Sequence, residues 1–145
     1  MSELPFVLGH PDARLPTRAH ADDAGLDLRS IEHVEIPPGE RRRVRTGLRM
    51  AIPAGHAGLV LPRSGLALRA GLTLLNSPGL IDAGYRGDVD VIAHNTDLHR
   101  PVQLAVGDRI AQLVLVRLAD AEPTAVDELP ASERGEGGFG SSGSE

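Results

Sequence analysis

The chain has no cysteine, no lysine and no tryptophan among its 145 residues. Without thiols there can be no disulfide, no thiolate metal site and no cysteine nucleophile. Without lysine there is no Schiff base and no P-loop amine, so any phosphate must be held by guanidinium groups, backbone N–H groups and hydroxyls. Aromatic residues make up only 2% of the chain. They are Phe6, Tyr85 and Phe139, and Phe139 stands alone in a Gly/Ser tail with nothing apolar beside it. A core with so few rings has to be built from Val, Leu, Ile and Ala.

Long apolar runs are missing as well. Nothing approaches the ~20 residues of a membrane span, and the opening MSELPFVLGHPDARLP has no charged segment followed by an apolar one. The expectation is a soluble, cytoplasmic protein with no membrane partner. Net charge is −5, and the only basic block is Arg41, Arg42, Arg43 and Arg45, so no nucleic-acid partner is expected. The length suits one domain, with 41% hydrophobic residues to fill it.

What is present alternates with the period of strands. Val44, Thr46, Leu48 and Met50 alternate with Arg43, Arg45, Gly47 and Arg49, which predicts one half-buried strand. GLDL, VEI and DVDV repeat the pattern, with PPGE, IPAGHAG and VGDR as turns between them. RIAQLVLVRL, residues 109 to 118, is almost continuously apolar, as in a central or interface strand covered on both faces. Only SGLALRAG, residues 64 to 71, reads as a helix. Many short strands with one helical segment predict an all-β, jelly-roll-like β-barrel or sandwich. The expected organisation is a barrel domain over residues 1–130 and a flexible Gly-rich tail over 131–145.

Four stretches are equipped for chemistry. PRSGLA sets Arg63, Ser64 and Gly65 at a strand-to-helix junction, an arrangement suited either to an anion or to ordinary helix capping. NSPGLIDAGYRGD, residues 76 to 88, reads as a bent hairpin. Its backbone can present hydrogen bonds to a flat ligand edge, and it carries Asp82 between Ile81 and Ala83. Asp82 suits a general base or a turn residue equally. DAGLDLRS carries Asp23 and Asp27, a spacing that suits one strand start and one outward carboxylate, or a place for Asp27 near a hydrated metal. Gln112 sits in the apolar strand, where a buried amide needs partners. The six histidines show no metal-ligand spacing.

Five stretches in order, DAGLDLRS, PRSGLA, NSPGLIDAGYRGD, GDRIAQL and RGEGGFGSSG, resemble the homotrimeric dUTPase family and span residues 23 to 143. The resemblance implies hydrolysis of dUTP to dUMP and pyrophosphate by water attack at the α-phosphorus, with Mg²⁺ held mainly by the substrate phosphates. It implies a homotrimer in which a C-terminal segment crosses between subunits and each site draws on three chains. Asp82 would orient and deprotonate the water. Arg63, Ser64, Gly65, Gln112 and Arg134 would hold the phosphates, and Asp27 would contact the waters of Mg²⁺. Gly79, Leu80, Ile81 and Asp90 would read uracil through their backbone, with Asn76 assisting, and Tyr85 would lie beneath the deoxyribose. Phe139, with Gly140 and Ser141, would close over the base. Two alternatives share the fold: a dCTP deaminase-like enzyme, which the intact IDAGY segment disfavours, and a non-catalytic nucleotide-binding regulator.

Overall fold

The computed structural model describes residues 3–133 and 135–136; Met1, Ser2, Arg134 and residues 137–145 lie outside the described residues. Among the described residues, eleven strands and one helix follow in order: β1 (Phe6–Leu8), β2 (Leu26–Arg29), β3 (Val34–Ile36), β4 (Arg41–Arg45), β5 (Leu48–Met50), β6 (His56–Leu61), α1 (Ser64–Ala70), β7 (Leu72–Leu74), β8 (Gly79–Ile81), β9 (Asp90–Asn95), β10 (Val102–Leu104) and β11 (Arg109–Arg117). They form a four-stranded sheet β2-β11-β6-β8, a three-stranded sheet β4-β9-β7, and the pairs β1-β5 and β10-β3. Every pairing is antiparallel. The all-β, jelly-roll expectation holds. The barrel does not close in the single chain, because each of these four sheets ends in edge strands.

Alternation carries each strand's apolar side chains to a common core. Leu28, Ile36, Val44, Leu48, Leu72, Val91, Ala93, Ile110 and Leu113 are buried there, and each large aliphatic among them contributes about 1.5–3 kcal/mol by leaving water. The outward positions of β4 stay in solvent and pair with acids. Arg43 Nε donates to Asp90 Oδ2 at 2.6 Å and Arg45 Nε to Glu32 Oε2 at 2.8 Å.

Two predicted elements come out differently. The single strand through residues 44–50 is two, because Gly47 adopts φ 67° and turns the chain between β4 and β5. A Cβ on Gly47 would lie 3.0 Å from the Cβ atoms of Ala13 and His10, so the turn needs glycine for space as well as for conformation. The buried faces still match, since Val44, Thr46, Leu48 and Met50 are all buried. The hairpin expected over residues 76–88 is not self-paired: β8 pairs with β6, while β9 pairs with β4 and β7. Its two arms belong to different sheets and leave a cleft between them.

β11 is central, flanked by β2 and β6. Ile110, Ala111 and Leu113 are buried, but towards its end Leu115 is 36% exposed. The double coverage expected of the whole strand therefore holds in this chain only for its first half. Beyond β11, residues 119–133 have no helix or strand and are exposed throughout.

Candidate functional site

The cleft between β8 and β9 is a cavity of about 180 Å³, lined by Asn76, Gly79, Leu80, Ile81, Asp82, Tyr85 and Asp90, with Val60, Leu74, Asp88, Val89 and Val91 behind them. Every residue singled out in residues 76–90 is thus brought to one place. Its far wall is fixed by a core hydroxyl. Thr46 Oγ1, buried, donates to the Val89 carbonyl, and the Val89 N–H donates to the Leu48 carbonyl at 2.8 Å. The turn at Gly47 therefore sets the wall of the cavity.

Ile81, the last residue of β8, is buried, and Asp82, which follows it, is exposed and lines the cavity. Asp82 is exposed in the single chain, not enclosed by Ile81 and Ala83 as its neighbours in sequence suggest. Tyr85 is half exposed, and its hydroxyl donates to the Asp88 carbonyl at 3.0 Å. The ring lies so close over Gly87 that a Cβ there would meet its Cζ at 2.7 Å. Gly87 is the condition for the ring's position. The Asp90 carboxylate is held by Arg43, and Asp90 lines the cavity at the start of β9.

A second pocket, of about 310 Å³, is lined by Asp27, Arg63, Ser64, Gly65 and Gln112, together with Ala19, Asp23, Ala24, Gly25 and Arg109. Asp27 lies within β2 with its side chain 11% exposed, so it is not an outward carboxylate. Arg63 Nε donates to Asp27 Oδ1 at 3.1 Å, Arg109 Nη1 donates to Asp27 Oδ2 at 3.0 Å, and Arg63 Nη1 donates to the Arg109 carbonyl at 3.2 Å. One carboxylate thus positions two guanidinium groups at the pocket wall. Removing both cations would strand the nearly buried Asp27 carboxylate, whose side chain is only 11% exposed.

Gln112 Nε2 donates to the Pro62 carbonyl at 2.9 Å, and the amide lies directly against Gly25, where no side chain would fit. Ser64 opens α1 but makes no capping bond, and the N-cap position is Arg63. Capping, the ordinary reading of that serine, is not what it does. Sequence reasoning missed Arg109, although it stands three residues before Gln112 in the stretch already marked. Its charge at the head of an apolar strand was the available signal.

The backbone N–H of His20 donates to Asp23 Oδ2 at 2.9 Å and holds that carboxyl below the usual carboxylate range, with the imidazole and Arg18 adding to the effect. Among the described residues no group of three His, Asp or Glu is arranged to hold a metal ion. Arg134, Phe139, Gly140 and Ser141 lie outside the described residues.

The two pockets have no lining residue in common. One presents backbone, a tyrosine and a carboxylate, the other guanidinium groups, an amide and a hydroxyl. The chain matches the dUTPase family model over residues 11–143. It belongs to the dUTPase family. Relatives in this family include the deoxyuridine 5'-triphosphate nucleotidohydrolase of Thermobifida fusca, 56% identical over 92% of this chain and 74% of that one. That of Mycobacterium marinum is 54% identical over 98% of this chain and 96% of that one. Among solved structures, a variant of the Staphylococcus bacteriophage 80alpha dUTPase with dUpNHpp superposes with TM-score 0.90 at 32% identity, covering 99% of this chain and 100% of that one. A phage phi11 dUTPase variant, described for its coordination of a structural Mg(II) ion, superposes with TM-score 0.82 at 30% identity over 88% of this chain and 98% of that one.

Proposed function

We infer that this chain hydrolyses dUTP to dUMP and pyrophosphate. Beyond family membership, the observation that carries the reading is the pairing of the two pockets, one suited to a flat base and its sugar and the other to a phosphate chain.

The base would lie between β8 and β9, where the backbone of Gly79 to Ile81 and of Asp90 is available to it. Cytosine carries a donor where uracil has an acceptor, and the thymine methyl needs room that a narrow cleft does not provide. Tyr85, held flat by Gly87 and Asp88, would take the face of the deoxyribose where a 2′-hydroxyl would clash. Asp82, turned toward the cavity mouth, would accept a proton from water as the water oxygen bonds to the α-phosphorus. The bond from that phosphorus to the bridging oxygen breaks, and pyrophosphate leaves. Arg63, Ser64, Gly65 and Gln112 would hold the phosphates in line, which is most of what phosphoryl transfer asks of a protein.

The donor set also bears on Mg²⁺. Asp27 has both oxygens engaged by arginine, yet each keeps a lone pair free. That suits hydrogen bonds from metal-bound waters and does not suit a protein cage. The residues fit an ion held mainly by substrate phosphates, with Asp27 facing its waters. Bound there, Mg²⁺ would neutralise phosphate charge.

The site is assembled between copies of the chain. Within one chain the base pocket and the phosphate pocket share no wall, and the outer half of β11 and residues 119–133 are left open. A homotrimer with cyclic symmetry joins one pocket to its complement three times. The barrel domain is then residues 1–130, and residues 131–145, with Arg134, Phe139, Gly140 and Ser141, close over the bound nucleotide. No described helix is long and apolar enough to cross a membrane. Pyrophosphate release from each deoxynucleoside triphosphate and from UTP tests the assignment: dUTP is expected to be the substrate, and turnover of dCTP in its place would refute it.

A further inference from the structure

Among the described residues, the charged side chains of the phosphate pocket are two arginines, Arg63 and Arg109, and two aspartates, Asp23 and Asp27, which sum to zero. A triphosphate brings several negative charges to that wall, and one divalent ion cancels only two. The pocket therefore needs more positive charge than its own wall supplies.

We propose that Arg69 is a further substrate-binding residue, contacting the phosphate chain of dUTP across Gly65. The proposal rests on the functional reading above. Arg69 follows Gly65 by four residues on α1, so the two share a helix face, and long helical side chains lean back toward the preceding turn. Its Nη1, Nη2 and Cζ lie 3.0, 3.2 and 3.4 Å from the point a Cβ on Gly65 would occupy. The head of the arginine thus rests on the bare backbone of a residue that lines the phosphate pocket. Any larger residue at position 65 would push it away. A guanidinium at that point offers paired N–H donors to phosphate oxygens, which a lysine ammonium does not match in geometry. Arg69 is exposed, so its remaining donors are accessible. Its place in the last turn of α1 also suits a base that merely complements the helix carbonyls. The test separates the two roles.

Arg69→Gln and Arg69→Lys are assayed for dUTP hydrolysis, with the melting temperature of each and the inhibition constant of deoxyuridine, which has no phosphate. Arg69→Gln is expected to raise KM for dUTP about tenfold, as loss of a charge-assisted contact does, with kcat within about twofold of the parent and deoxyuridine binding unchanged. Arg69→Lys keeps the charge and loses the fork, so its KM falls between the two; if Arg69→Gln does not fold, a raised KM in Arg69→Lys decides the matter alone. An unchanged KM in a folded variant overturns the proposal, and so does weakening of deoxyuridine and dUTP to the same degree, the mark of a structural role. A wild-type chain that releases no pyrophosphate from dUTP refutes instead the functional reading beneath it.

Discussion

Asp82 follows the last residue of β8 and lines the cavity, exposed where Ile81 beside it is buried. Asp82→Asn keeps the hydrogen-bonding shape and loses the proton acceptor. Turnover is expected to fall roughly 100- to 10,000-fold while dUTP still binds, as a pre-steady-state binding measurement would show. Full activity in that variant would remove Asp82 from the chemistry. On the proposed reading Tyr85 would select the sugar by exclusion, so Tyr85→Ala is expected to raise kcat/KM for UTP relative to dUTP. A ratio that does not move would place sugar selection elsewhere. At this scale much was legible. The seven residues marked between Asn76 and Asp90 line one cavity, because sequence neighbours on a short looped segment stay neighbours in space. The charge of Arg109 at the head of an apolar strand was visible, but its partner was not, because it shares Asp27 with Arg63 in a contact between segments far apart in the chain.

Among the elements, the turn at Gly47 carries the clearest consequence for stability. Gly47→Ala forces a side chain into φ 67° and against Ala13 and His10. A loss of about 1–2 kcal/mol is expected from the conformation alone, read as a lower midpoint in denaturant with an unchanged slope. Because the same turn sets Thr46 and Leu48 against Val89, KM for dUTP is expected to rise with it. The loop around Asp23 gives a pH signature. Its carboxyl titrates below the ordinary range when folded, so its contribution is present above the unfolded-state pKa and is lost as pH falls through the folded one. Asp23→Ala is expected to lower thermal stability at neutral pH and to match the parent in acid; a gap that persists in acid would mean the carboxylate charge is not involved. Strand faces were legible because burial follows alternation, as Val44, Thr46, Leu48 and Met50 show. Strand partners were not. The segment 76–88 looks like a hairpin locally, but β8 pairs with β6 and the following β9 with β4, partners that come from elsewhere in the chain and that local sequence does not name.

For the whole molecule, the fold class was legible from many short alternating segments, whereas closure of the barrel was not, since the open edges and the exposed outer half of β11 belong to surfaces that one chain leaves uncovered. The same incompleteness runs through the site. Asp82 lies in one pocket and Arg63 in another that shares no wall with it. If each active site joins the base pocket of one copy to the phosphate pocket of another, two variants inactive for different reasons should restore each other. Asp82→Asn and Arg63→Gln are co-expressed with distinct tags, the mixed assemblies are isolated, and pyrophosphate release from dUTP is measured beside each parent. Both parents are expected to be nearly inactive, and the isolated trimers holding both variants to recover about a third of the wild-type rate, because in such a trimer one of the three sites takes its base pocket from an Arg63→Gln chain and its phosphate pocket from an Asp82→Asn chain. Mixed assemblies no more active than their parents would contradict the shared site, as would a monomer that hydrolyses dUTP at the full rate.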